Sequence, residues 1–231
     1  MPTLPVKTHR PIEKVYVLSD FDGTITIEDA AVALLNRFGP KDWYDYVRLW
    51  ERRDMSLRES LKQMYERIVA TREEVADFIK KEIQVRKGFP EFVEWCGQNG
   101  IRFTIVSEGL DFVIEKTLEK YKVKAEVRTN RMVFKGNKVT IEFPETPPLC
   151  HHDDGEICGT CKYSHVKHLQ DEGWFVVYLG DGKTDVRPGL IADVVFGRRS
   201  LARTFTEQGR YFFPFENFVS IKERLGHIFK K

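Results

Sequence analysis

The sequence predicts an α/β fold: a doubly wound, Rossmann-like parallel sheet with a small helical cap inserted after the first strand. Two observations predict it. Short apolar runs recur along the chain, each followed by a polar or glycine-rich turn and then a helical pattern. One long helical stretch, about 29–86, separates the first such run from the second. The expected boundaries are 1–27 plus 87–231 for the core and 28–86 for the cap.

The first strand is expected at Val15–Leu18, the second at Phe103–Val106, the third at Phe175–Leu179 and a fourth at Val194–Phe196. Continuous apolar runs of this length fit strands buried on both faces. In the inserted stretch, Ser56-Leu-Arg-Glu59 and Thr71-Arg-Glu-Glu74 have the capping-box form, and Gly39-Pro40 breaks the helix before them. Three or four helices are expected there. Their aromatic residues (Trp43, Tyr44, Tyr46, Trp50, Tyr65) are packing material or a grip on substrate. The span Val127–Phe143 reads as a hairpin, turning at Lys135-Gly136-Asn137-Lys138.

Composition narrows the function. The chain has 231 residues, 42% of them hydrophobic, enough for one large domain or a domain with an insertion. With 37 Lys and Arg against 35 Asp and Glu, the net charge is +2. That balance gives no case for nucleic acid or an anionic membrane. The pairs Arg198-Arg199 and Lys230-Lys231 read as solvated surface. No apolar run approaches the ~20 residues that span a bilayer. The first eleven residues hold three prolines and no apolar signal core, so a cytoplasmic protein is expected.

Three polar turns carry the chemistry. Asp20-Phe21-Asp22-Gly23-Thr24 follows the first strand. One of its carboxylates can attack phosphorus while the other delivers a proton to the leaving oxygen; an Asx-type turn that merely caps the strand is the alternative. Ser107-Glu108-Gly109 follows the second strand, where a hydroxyl and backbone N–H groups suit a phosphate oxygen, or simply cap a helix. Gly180-Asp181-Gly182-Lys183-Thr184-Asp185 follows the third, a hard-oxygen site of the kind Mg²⁺ takes, or a turn with an N-capping Asp. Turns that follow parallel strands share one edge of the sheet, where open α/β folds bind ligands. Four carboxylates meeting there repel one another unless a cation intervenes.

Asp-Phe-Asp-Gly-Thr, Ser-x-Gly and Gly-Asp-Gly-x-x-Asp, in this order, resemble the motifs of the haloacid dehalogenase-like phosphatases. The inserted helices resemble the small cap of the phosphoserine phosphatase branch. The hairpin, the Cys-rich loop and the Lys before the last motif are closer still to the bacterial methionine-salvage phosphatases, which act on 2-hydroxy-3-keto-5-methylthiopentenyl 1-phosphate. More distantly, the motifs resemble those of phosphoethanolamine and phosphocholine phosphatases. The resemblance implies a Mg²⁺-dependent phosphatase acting on a small phosphorylated metabolite through an aspartyl-phosphate. It implies Asp20 as nucleophile and metal ligand. Asp22 would be acid and then base, with its backbone carbonyl on the metal. Ser107, Glu108 and Gly109 would hold phosphate. Asp181 would bind metal, and Asp185 would support it directly or through water. A Lys that neutralises the nucleophile is also implied: Lys162, with Lys167 as the alternative. Glu28 or Asp29 would read the substrate from the cap side, unless they only favour a helix dipole.

Relatives usually have Ser-Gly-Gly where this chain has Ser107-Glu108-Gly109, so the Glu108 side chain is expected to point away from phosphate or to bind a cationic or hydroxylated part of the substrate. Two rival activities share the resemblance: a phosphotransferase or mutase with the same chemistry, and a non-catalytic binding module. Separately, Cys150, Cys158 and Cys161, with His151 and His152 close by, suit a structural Zn²⁺. The set is Cys150, His152, Cys158 and Cys161; plain thiols and a disulfide are the alternatives.

Overall fold

A computed structural model of the chain describes residues 14–147 and 157–229. Seven strands among these form one sheet in the order β4-β3-β2-β1-β5-β6-β7. They are β1 (Val15–Ser19), β2 (Arg102–Leu110), β3 (Glu126–Lys135), β4 (Lys138–Glu142), β5 (Phe175–Gly180), β6 (Val194–Gly197) and β7 (Phe213–Pro214). β1 lies at the centre, parallel to both β2 and β5. β3, β6 and β7 extend the parallel sheet, and only β4 is antiparallel.

Both faces of the sheet are covered, which is why its strands are apolar throughout. Along β1, Val15 and Val17 face one hydrophobic cluster, whereas Tyr16 and Leu18 face another. The first cluster holds α5 (Phe89–Gln98) and α10 (Phe218–Phe229), through Phe89, Phe92, Phe218 and Leu225. The second holds α7 (Lys162–Asp171), through Val166 and Leu169. A third small cluster seats α9 (Arg199–Glu207) on β6. The doubly wound expectation is met.

Four helices stand between β1 and α5: α1 (Ala30–Phe38), α2 (Trp43–Glu51), α3 (Leu57–Tyr65) and α4 (Arg72–Glu82). α1 ends at Gly39, as Gly39-Pro40 predicts. Thr71 and Glu74 form the complete capping box of α4; Ser56 caps α3 by accepting from Glu59 N, without the reciprocal bond. The two chain passages between core and inserted helices pair with each other: Ile27 N donates to Gln84 O (2.9 Å) and Arg86 N to Ile25 O (2.8 Å). The Arg86 guanidinium is buried at this crossing and donates to the carbonyls of Gly23, Thr24 and Ile27 at 3.0–3.1 Å.

Two differences from expectation matter. β2 continues past Val106 to Leu110, with a register shift against β3 between those residues. Ser107-Glu108-Gly109 therefore lies within the irregular end of a strand, not in a turn beyond it. An apolar run ends at Val106, so the sequence pattern stops there, but backbone pairing does not need apolar side chains. The second difference is β7, two residues long and too short to show a period.

Candidate active site

The carboxyl ends of β1, β2 and β5 deliver their motifs to one place. Asp20 N donates to Leu179 O (2.9 Å), which ties the end of β1 to that of β5. The chain then turns on Phe21 O, which accepts from the backbone N–H groups of Ile25 and Thr26. Gly23 makes the turn possible: its φ is +71°, and a Cβ there would lie 2.4 Å from Asp181 Oδ2. Thr24 Oγ1 donates to Asp181 Oδ1 at 3.1 Å, linking the first motif to the last.

Asp20, Asp181 and Asp185 are buried, and each offers an oxygen within 4.8 Å of the others. Both oxygens of Asp185 are occupied. Oδ2 accepts from the N–H groups of Asp181 (2.9 Å) and Gly182 (2.8 Å), and Oδ1 from Lys162 and Tyr178, both at 2.7 Å. Lys162 Nζ also reaches Asp20 Oδ1 at 2.8 Å. Lys162, the first residue of α7, thus sits between two of the carboxylates at 3% exposure. Lys167 lies one turn on, at the surface, paired with Asp171.

Electrostatics record the crowding. Burial, then Asp185, raise the Asp20 carboxyl well above its usual range against the pull of Lys162. Burial and Asp185 push Asp181 up to about 6. Burial and Asp29 push Asp22 up to about 8. Asp185 is the exception: burial opposes its charge, but Lys162, Tyr178 and backbone N–H groups hold its carboxyl below the usual value. Burial likewise opposes the charge of Lys162, yet Asp185 and Asp20 outweigh it and raise the ammonium's pKa. Three buried hard-oxygen donors facing one lysine suit a divalent cation such as Mg²⁺.

Asp22 stands apart from this trio. Its Oδ1 accepts from Ala31 N at the start of α1 (3.1 Å), and Oδ2 lies 3.5 Å from Ser107 Oγ. Ser107 Oγ in turn accepts from Gly109 N at 3.0 Å. Asp20, Asp22, Ser107, Glu108, Gly109, Lys162 and Asp181 all line one cavity of about 270 Å³. Asp29 lines it too while capping α1 through Val32 N (2.8 Å), so it fits both of its expected uses. Glu28 is exposed and is not among the residues lining the cavity. The opposite wall comes from α1, α2 and α3 and is largely apolar, with Trp43, Tyr44, Trp50 and Tyr65 on it; Tyr46 instead accepts from Arg67.

Glu108 does not simply turn away. Its carboxylate accepts from Thr160 N at 2.9 Å and remains on the cavity wall. Of the cysteine set, Cys150 and His152 lie outside the described residues. Cys161 is buried and Cys158 half-buried, and among the described residues the metal-competent cluster is wholly carboxylate. Two residues escaped the sequence reading, and one of them is Tyr178, read only as part of a strand although its hydroxyl donates to Asp185 Oδ1. Arg199, taken as solvated surface, brings Nη1 to 3.4 Å from Asp181 Oδ2. Its position after β6, on the same sheet edge as the three motifs, was the available signal.

A family model for haloacid dehalogenase-like hydrolases matches residues 17–187, and the chain belongs to that family. Within it the chain stands with the phosphatases. It is 31% identical to a 2-hydroxy-3-keto-5-methylthiopentenyl-1-phosphate phosphatase of Bacillus velezensis, over 92% of this chain and 90% of that one. A Bacillus cereus protein of the same description is 30% identical, over 93% and 97%. Among solved structures, a phosphoserine phosphatase in a phospho-aspartyl intermediate analogue form superposes with a TM-score of 0.65 at 17% identity, covering 92% of this chain and 98% of its own. At that identity the likeness concerns the fold. Among the described residues no helix is long and apolar enough to cross a membrane.

Proposed function

We propose that the chain is a Mg²⁺-dependent phosphomonoesterase that works through an aspartyl-phosphate on Asp20. The observation that carries this reading is the trio Asp20, Asp181 and Asp185, buried together with Lys162 between two of its members. Asp20, Asp181 and the backbone carbonyl of Asp22 would hold the ion, with Asp185 keeping the Asp181 loop in place. Bound Mg²⁺ supplies charge neutralisation for the carboxylates and the incoming phosphate.

In the first step Asp20 forms an O–P bond as the ester P–O bond breaks. Asp22 gives its proton to the leaving oxygen; with its carboxyl pushed up to about 8, it carries that proton at neutral pH in the metal-free state. Ser107 Oγ and the N–H groups beside it hold the phosphoryl oxygens. In the second step the Asp22 carboxylate takes a proton from water, the water oxygen bonds phosphorus, and the Asp20–phosphorus bond breaks. Inorganic phosphate leaves and both carboxyl groups are restored. Lys162 holds Asp20 Oδ1 throughout.

The substrate's other end would meet Leu35, Trp43, Val47, Leu61 and Met64, and among the described residues Lys162 is the only cationic side chain on the wall of this cavity. Phosphoserine would bring a carboxylate to this apolar wall, whereas Arg53, Lys183 and Arg187 line the adjoining cavity instead. An uncharged, mostly apolar leaving group fits, so we propose the methylthiopentenyl enol phosphate named for the Bacillus relatives as the substrate. The zinc site is not carried into this reading.

Asp20→Asn should abolish release of phosphate from p-nitrophenyl phosphate in Mg²⁺, and chelation should silence the wild type. Substantial turnover in either case rejects the mechanism. Faster turnover of phosphoserine than of the enol phosphate rejects the substrate.

A further inference from the structure

The carboxylate of Glu108 sits beside the phosphate-binding Ser107, where a second negative charge is unwelcome. What it touches explains its presence. Oε2 accepts from Thr160 N at 2.9 Å. The approach is close enough that a Cβ on Gly159 would lie 2.4 Å from Oε2. Asn130, fully buried, completes the junction. Its Nδ2 donates to Glu108 O (2.7 Å) and Gly109 O (3.2 Å), and its Oδ1 accepts from Thr160 Oγ1 (3.3 Å).

The segment held this way leads directly to Lys162, two residues beyond Thr160. From the other side it is held by the inserted helices: Arg58 N donates to Ile157 O and Arg58 Nε to Cys158 O, both at 3.2 Å. Residues 157–161 have no regular secondary structure of their own. Their backbone N–H groups therefore need acceptors from elsewhere, and Glu108 supplies the one for Thr160.

We infer that Glu108 is a positioning residue. Its carboxylate anchors Thr160, packed close against Gly159, to the phosphate-binding end of β2, and so sets Lys162 against Asp20. This rests on the proposed phosphatase reaction for its kinetic consequence, but the anchoring itself is independent of it. One junction then fixes the phosphate-binding hydroxyl and the lysine relative to each other, although they are distant in sequence. What matters in Glu108 is hydrogen-bond acceptance by its oxygen, not a contact with substrate.

The test compares wild type, Glu108→Ala and Glu108→Gln on p-nitrophenyl phosphate with Mg²⁺, alongside amide hydrogen exchange of the 157–161 segment. Glu108→Ala leaves the Thr160 N–H without its acceptor and should lower kcat about 30-fold with KM within about threefold. Glu108→Gln keeps an acceptor oxygen and should restore kcat to within about threefold of wild type. Exchange at residue 160 should quicken about tenfold in the Ala variant and stay near wild type in the Gln variant. Gly159→Ala, which forces the same junction apart from its other side, should reproduce the kcat loss and serves if Glu108→Ala does not fold. Equal impairment of the Gln and Ala variants, an effect confined to KM, or unchanged exchange in Glu108→Ala overturns the inference. If wild type itself shows no phosphatase activity, the proposed reaction fails while the exchange measurement still decides the anchor.

Discussion

Replacing Lys162 by Met tests the arrangement at its centre. The side chain is about the same length but carries no charge. Nζ lies 2.8 Å from Asp20 Oδ1 and 2.7 Å from Asp185 Oδ1, in a site only 3% exposed. Removing one partner of a buried ion pair costs about 3–5 kcal/mol. A second route gives a similar figure. The stranded carboxylates can relieve the loss by taking up a proton, and holding one ordinary carboxyl protonated at pH 7 costs about 4 kcal/mol. In the reaction, loss of one fixed electrostatic partner lowers kcat about 10²–10³-fold. Lys162→Met should therefore retain less than about 1% of kcat on p-nitrophenyl phosphate, with a stability loss of about 3–4 kcal/mol by urea denaturation of the metal-free protein. Lys167→Met is the control. Its pair with Asp171 is exposed, worth at most about 1 kcal/mol, and kcat should stay within about twofold. More than a tenth of wild-type kcat in Lys162→Met, or a larger loss in Lys167→Met, would refute the assignment.

Gly23→Ala should lower kcat at least about 100-fold and weaken Mg²⁺ binding, read by metal titration, because the new methyl meets Asp181 Oδ2 at a left-handed backbone position. Arg86→Met should cost about 2–4 kcal/mol in denaturant stability, since three carbonyls at the crossing between core and inserted helices, those of Gly23 and Thr24 in buried hydrogen bonds, lose their donor. The metal-free protein should lose stability as pH rises from about 4 to 8. Asp20, Asp22 and Asp181 have raised carboxyl pKa values, so the folded state binds more protons than the unfolded chain across that window. Asp185, lowered, works in the opposite sense but only toward acid. Melting temperature against pH, with and without Mg²⁺, checks this: the stabilisation by Mg²⁺ should grow with pH, and a flat metal-free profile would contradict the picture.

The parts of this fold written in local pattern were readable from the sequence. β1 and β5 are buried on both faces, so Val15–Leu18 and Phe175–Leu179 stand out as unbroken apolar runs, and the structure lengthens each by one residue. The Thr71 capping box is likewise local, closing between residues three apart. The parts written in tertiary contact were not readable. Nothing around Glu108 announces that its acceptor oxygen is matched to Thr160, 52 positions away. Arg199 looked like surface because its neighbour in sequence is also an arginine, whereas its role depends on β6 ending beside β5. Lys162 could be preferred over Lys167 from its place before a helix, but their different burial could not be read there. Only one of the two is enclosed by carboxylates.

The order of the strands explains why such a concentration of acid is tolerable. β1 lies between β2 and β5, so the motifs at the carboxyl ends of these three strands must converge whatever the intervening chain does. Convergence alone would drive the carboxylates apart or protonate them, and the raised carboxyls of Asp20, Asp22 and Asp181 show that pressure. The chain answers it with fixed partners drawn from outside the motifs. Lys162 comes from α7, Tyr178 from within β5, and Arg199 from the start of α9. Asp185 consumes two of its possible cation contacts on backbone N–H groups, which makes it a brace for the loop carrying Asp181. That division leaves Asp20 and Asp181 as the carboxylates with capacity for an incoming cation. It follows that Asp185→Asn should damage the geometry of the Asp181 loop and the seat of Lys162 together, weakening metal binding through position and not through loss of a direct ligand.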